Sequence, residues 1–209
     1  APIKEILFFI GLFMFNVLLT LLITASGGIF YGESSEDWIY SCVAERARYD
    51  CKNRKWEDID PEIIDTLIKV EKQYNVPNEL KGMLLAAACV ESGFNPKAKG
   101  DRKFSKDKKT PKAIGILQMW PVYEKMYPGL DRTNPEQAAH GWMKHIVSKL
   151  PKVDKQCRYK TDYRRWVAAW VTGIRYKKPG GRCLEKPKHL KVLRRWHRHI
   201  ANNGCEEGC

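Results

Sequence analysis

Residues 83–90 contain only Met, Leu, Ala, Cys and Val, in a chain that is otherwise rich in charge. Ala and Leu are strong helix formers, so the run predicts a helix. Having no polar face, that helix must be enclosed on every side. Pro77, Asn78 and Glu79 supply a start signal with Asn78 as the cap, and Gly93 and Pro96 supply the stop. Glu91 therefore falls in the last turn of a buried helix, where packed core gives way to loop.

The helices that would enclose it can be read from apolar spacing. Residues 61–74 carry Ile63, Ile64, Leu67, Ile68 and Val70 at three- and four-residue intervals, and the helix ends near Tyr74 and Asn75. Residues 135–150 and 163–173 repeat the pattern, and residues 188–200 place Leu190, Leu193, Trp196 and Ile200 on one face. No alternating strand pattern of useful length and no internal repeat is present. The fold class expected is mainly α. With 209 residues, the chain holds one ordinary domain of about 150 residues and some appendages. The expected division is an apolar N-terminal segment (1–30), a linker or small disulfide-stapled region (31–59), the helical domain (60–203) and a cysteine-containing tail (204–209).

Residues 6–25 are uncharged and mostly apolar. A run of about 20 fits a transmembrane helix, whereas a cleavable signal has an apolar region of about 7–15, so length favours an anchor. The small residues from Thr24 to Gly28 leave signal cleavage open, and a span first inserted and then released is a third fate. Lys4 precedes the run, and Glu33, Glu36 and Asp37 follow it, which places the bulk of the chain outside the cytoplasm. Cys42, Cys51, Cys157, Cys183, Cys205 and Cys209 lie in polar contexts that suit disulfides and an oxidising compartment. Six cysteines allow 15 connectivities; proximity alone points to Cys42 with Cys51, Cys157 with Cys183 and Cys205 with Cys209. Cys89, inside the apolar run, reads as a free, buried thiol.

The formal charge of +13 makes some polyanion an expected neighbour. Nucleic acid, anionic lipid and the acidic sugars and peptides of cell wall all carry the right sign. Placement outside the cytoplasm argues against nucleic acid. The five histidines, His140, His145, His189, His197 and His199, lack the spacing of a metal site and read as solvated surface, so no metal is assigned.

Val76-Pro77, the stretch 84–96 with Glu91, Ser92, Asn95 and Pro96, and then Gly115, Ile116, Leu117 and Gln118 together resemble the soluble lytic transglycosylase family. Its catalytic domain is similar to goose-type lysozyme. The likeness covers roughly 61–173. Asn134-Pro135 is similar to the family's Asp-Pro, but Ala138-Ala139 replace the Asn-Ile that follows; Trp170 and Val171 stand where it has Tyr and Asn. About nine additional residues around 101–109 lengthen the interval between Glu91 and Gln118 and make it strongly basic.

The resemblance implies cleavage of the β-1,4 bond between N-acetylmuramic acid and N-acetylglucosamine in peptidoglycan strands. Glu91 would serve as the single catalytic acid and base, and the sugar's own 6-hydroxyl as nucleophile, giving 1,6-anhydro ends without a cofactor. Ser92, Phe94, Gln118, Met119 and Trp170 are the implied substrate-binding residues. Phe94 and Trp170 read equally as core packing, and Gln118 as a core amide; Thr110 is a weaker candidate. For Glu91 to act as an acid at neutral pH, its apolar surroundings should raise its pKa. Local wall opening for a secretion or conjugation machine, or for a phage, would suit a membrane-associated enzyme of this size. A hydrolytic muramidase and an inactive wall-binding scaffold are the alternatives.

Overall fold

A computed structural model of the chain describes residues 35–51, 59–157, 161–170 and 188–205. The apolar segment 6–25, Cys183, Cys209 and residues 171–173 lie outside them. Residues from Glu36 onward form one compact unit. It is mainly helical, as the periodicities require. Among the described residues no helix is long and apolar enough to cross a membrane.

Seven helices are described: α1 (Ser35–Asp50), α2 (Pro61–Glu71), α3 (Met83–Ser92), α4 (Val122–Met126), α5 (Pro135–Cys157), α6 (Asp162–Trp170) and α7 (Lys188–Asn203). Two short strands, β1 (Lys99–Gly100) and β2 (Ala113–Ile114), pair antiparallel with Lys99 opposite Ile114. The apolar run becomes α3, and its residues Met83 to Ala88 are fully enclosed. Helices α2 and α7 pack on it, α5 packs on α2, and α6 packs on α5. The expected face of α7 turns inward, with Leu190, Leu193, Trp196 and Ile200 all buried.

A helix so enclosed cannot have its first N–H groups satisfied by water. Asn78, the expected cap, lies in a separate 3-10 turn (Asn78–Leu80) and caps nothing. The cap position of α3 is Gly82, at φ 88°, where a Cβ would lie 2.3 Å from Val43 of α1. With no side chain available there, the acceptor comes from α2. The Glu71 carboxylate receives Gly82 N–H at 2.6 Å, Leu84 N–H at 2.7 Å and the Tyr40 hydroxyl at 3.1 Å. Burial pushes Glu71 up to about 7, while these donors favour its ionised form.

Two of the three expected disulfides are overturned; the third, Cys157 with Cys183, falls outside the described residues. Cys42 bonds Cys205, and Cys51 bonds Cys89, with Cα separations of 5.3 and 5.4 Å. Cys89 is therefore not a free thiol, Cys42 and Cys51 do not staple each other, and Cys205 does not pair with Cys209. Proximity in sequence misled because Cys42 and Cys51, inward positions of α1 and its end, face different partners, Cys205 just beyond α7 and Cys89 of α3. A link closing 38 residues is worth about 4 kcal/mol in chain entropy. Nor is 31–59 merely a linker: Tyr40, Cys42, Val43, Ala47 and Cys51 belong to the buried core. Asp50, ending α1, accepts the Trp196 indole N–H at 3.0 Å and so holds α7.

Replacing Glu71 with Leu leaves two buried N–H groups without acceptors and is expected to cost about 3 kcal/mol or more, read as a lower urea midpoint. Glu71→Gln, which keeps one acceptor oxygen, should cost less. Because burial raises the folded pKa, ionising this carboxyl costs stability: the wild type is most stable below pH 4.5 and loses stability as pH rises through about 7, a dependence that Glu71→Gln should remove. A Leu variant that unfolds at the wild-type midpoint would refute the capping role.

Candidate active site

The C-terminus of α3 is shaped by Gly93, at φ 60°, whose N–H closes back on the carbonyls of Ala88 and Cys89. This turn places Glu91 on the final exposed edge of the buried helix, with its side chain 22% exposed. Next to it, the Ser92 hydroxyl donates to Ile116 O at 2.7 Å and accepts Asn95 N–H at 3.1 Å. Ser92 thus fastens the helix end to the segment that follows β2. It acts by positioning that segment.

The same segment holds Gln118. It turns back on itself through the Ile114–Met119 bridge, with Gly115 at φ 79° and Gln118 at φ 47°. A Cβ at Gly115 would come within 1.8 Å of Arg132 O, so only glycine fits. Arg132, nearly buried, locks the turn by donating to Met119 O at 2.7 Å and pairing with Glu124 at 2.6 Å. The Gln118 amide donates to Gly115 O at 2.9 Å, so one of its donors is used within the turn. Phe94 and Met119 are each 1% exposed. They pack in the core and offer no face to a ligand. Thr110 lies in the basic loop, bonded to Asp107.

The Glu91 carboxylate meets α7. Its Oε1 lies 2.7 Å from His189 Nε2 and 2.9 Å from Lys188 Nζ. Among the described residues no group bonds its other oxygen, Oε2. His189 is buried, contrary to the expectation of a solvated histidine, because the start of α7 turns it inward beside Leu190. Its ring stacks on Trp170 at 5.7 Å and 14°, and meets Trp142 edge-on at 6.4 Å. Trp142 and Trp170 are themselves edge-to-face at 6.0 Å. Trp170, fully buried, is thus a wall for the imidazole. Neither His189 Nδ1 nor Trp170 Nε1 has a hydrogen-bond partner among the described residues. The contact with Glu91 is therefore the imidazole's polar anchor among the described residues.

The electrostatics correct the expectation for Glu91. Desolvation does raise its pKa, but hydrogen bonds and charge from His189 and Lys188 outweigh that, and the net shift is downward. In this arrangement Glu91 is a carboxylate. Tyr123 of α4 is a further group that sequence reasoning passed over. Burial, with added repulsion from Tyr127 and from Glu91, pushes its phenol up to about 12, so it stays a neutral hydroxyl within electrostatic reach of the carboxylate. Its only sequence signal is a position five residues beyond Gln118 and three beyond Trp120. Among the described residues no three His, Cys, Asp or Glu side chains gather as a metal site.

In comparisons with protein-family models, curated proteins and solved structures, the chain matches none.

Because the Glu91 pKa is depressed on folding, its pairing stabilises the protein above the unfolded value of 4.5, and that contribution is lost as pH falls through the folded value. Glu91→Gln should therefore lower the urea midpoint at neutral pH, and the difference from wild type should close in acid. A difference that is constant across that range would contradict the pairing.

Proposed function

We propose that the chain is a peptidoglycan-cleaving lytic transglycosylase of lysozyme-like fold, with Glu91 as acid and base at the N-acetylmuramic acid to N-acetylglucosamine bond. The observation that carries this reading is the Glu91–His189 pair. It joins a half-buried carboxyl to an imidazole inside an aromatic nest, beside a Ser92-anchored turn that holds Gln118. The motif resemblance supports the same residues.

Glu91 rests as a carboxylate, held through Oε1 by His189 Nε2 and Lys188 Nζ. When a glycan covers the site and expels water, the carboxylate becomes costlier to hold in its charged form, so its pKa rises and Glu91 takes up a proton from the departing solvent. Glu91 then protonates the glycosidic oxygen as the bond to the muramic anomeric carbon breaks, with the substrate's acetamido group supporting that carbon. As a carboxylate again, Glu91 takes the proton of the 6-hydroxyl while O6 closes on the anomeric carbon. The products are a free 4-hydroxyl and a 1,6-anhydro ring, with no water consumed. Tyr123 supplies a phenol near the carboxyl, the role that Trp170 cannot fill because indole donates but does not accept.

With residues 6–25 as an anchor, this domain would work on the wall outside the cytoplasm. A secretion or conjugation machine or a phage particle is the proposed setting, with glycan strands rather than nucleic acid as partner.

Mass spectrometry of purified peptidoglycan after digestion is expected to show ends lighter by one water, and Glu91→Gln should slow release by about a hundredfold or more. Fully hydrated ends would instead identify a muramidase. No release by the wild type, or undiminished release by Glu91→Gln, would contradict the assignment.

A further inference from the structure

Between β1 and β2 the chain runs through a loop that carries five exposed cations, Arg102, Lys103, Lys106, Lys108 and Lys109. Phe104, 56% exposed, lies among them and packs against Trp120, 38% exposed, with ring centroids 5.6 Å apart. Lys103 Nζ sits 5.0 Å over the Phe104 ring. Directly beyond Trp120, α4 adds Val122 and Met126, also exposed and one turn apart. Large apolar side chains left in water beside a cluster of cations mark a contact surface.

The loop is built to hold this surface still. Asp107 accepts the Ser105 hydroxyl at 2.7 Å, the N–H groups of Lys109 and Thr110 at 2.9 Å each, and the Thr110 hydroxyl. Asp101 accepts the Trp120 indole N–H at 2.9 Å. The two acids of the loop are thus engaged in its own structure, and the indole is fixed by its polar edge. What it presents outward is ring surface.

We propose that this surface is a second contact for the wall glycan: Phe104 and Trp120 stack against sugar rings, and the surrounding cations meet the carboxylates of the strand and its peptides. The inference rests on the reading of Glu91 as a wall-cleaving residue. Two observations favour a glycan over a lipid bilayer. The surface lies on the chain to either side of the turn that Ser92, the neighbour of Glu91, fastens, which ties it to the cleaving residue through one short stretch of chain. A tryptophan at a bilayer interface directs its N–H toward headgroups, whereas here that group is committed to Asp101, an exposed acid that anionic lipid would repel.

The test is co-sedimentation of the full chain with lipid-free peptidoglycan sacculi, using Glu91→Gln as the parent so that the wall stays intact. Adding Phe104→Ala, or Lys103→Gln together with Lys106→Gln and Lys109→Gln, should weaken retention by about tenfold. Added salt should weaken the parent more than the lysine variant. Release of fragments by the chain with Glu91 intact and Phe104→Ala should show a higher KM with kcat unchanged, a split that a general folding defect would not give. Retention equal to the parent in both variants overturns the proposal while leaving wall cleavage standing. The same holds if the substitutions reduce binding only to phosphatidylglycerol vesicles. A parent that neither sediments with sacculi nor, with Glu91 restored, cleaves them removes the underlying reading as well.

Discussion

The Glu71 carboxylate is the contact on which the remaining architecture depends. Helix α3 is apolar around its whole circumference, so it can exist only inside other helices. Enclosure removes the water that would satisfy its first N–H groups. A carboxylate from α2 replaces that water, and the close approach of Val43 at Gly82 removes any alternative cap on α3 itself. With its start secured in this way, the helix delivers Glu91 at its other end to a defined place. The Cys51–Cys89 bond adds a covalent tie two residues before Glu91.

Much of this fold was legible because it follows from apolar period. The enclosed helix 83–92, the inward face of α7 and the Gly93 stop all express local rules of spacing and backbone freedom. Helix starts were less legible: Asn78 had the right chemistry for a cap, but the acceptor came from a residue distant in sequence. Disulfide partners failed for the same reason, since Cys42 and Cys205 are 163 positions apart and meet only through packing. Such contacts depend on tertiary placement, which a one-dimensional pattern does not record.

The candidate site divides along the same line. Glu91 and Ser92 stood out through a short motif, but the motif pointed to Ser92 as a substrate contact and gave no sign that it fastens the turn beyond β2. His189 gave no signal, because a histidine at the start of a basic helix looks like any solvated one. It is the residue that changes the chemistry: apolar surroundings alone would raise the Glu91 pKa, but His189 and Lys188 reverse that shift. For the proposed reaction, substrate must therefore raise the Glu91 pKa, because the protein alone leaves it lowered.

That pairing can be observed directly by following the Glu91 side-chain carbon resonance against pH in the selectively 13C-labelled full chain and in its His189→Ala variant. The account predicts that the wild-type carboxyl titrates below 4.5 and that removing His189 moves the titration upward. A wild-type carboxyl titrating at or above 4.5, unchanged by the substitution, would contradict it.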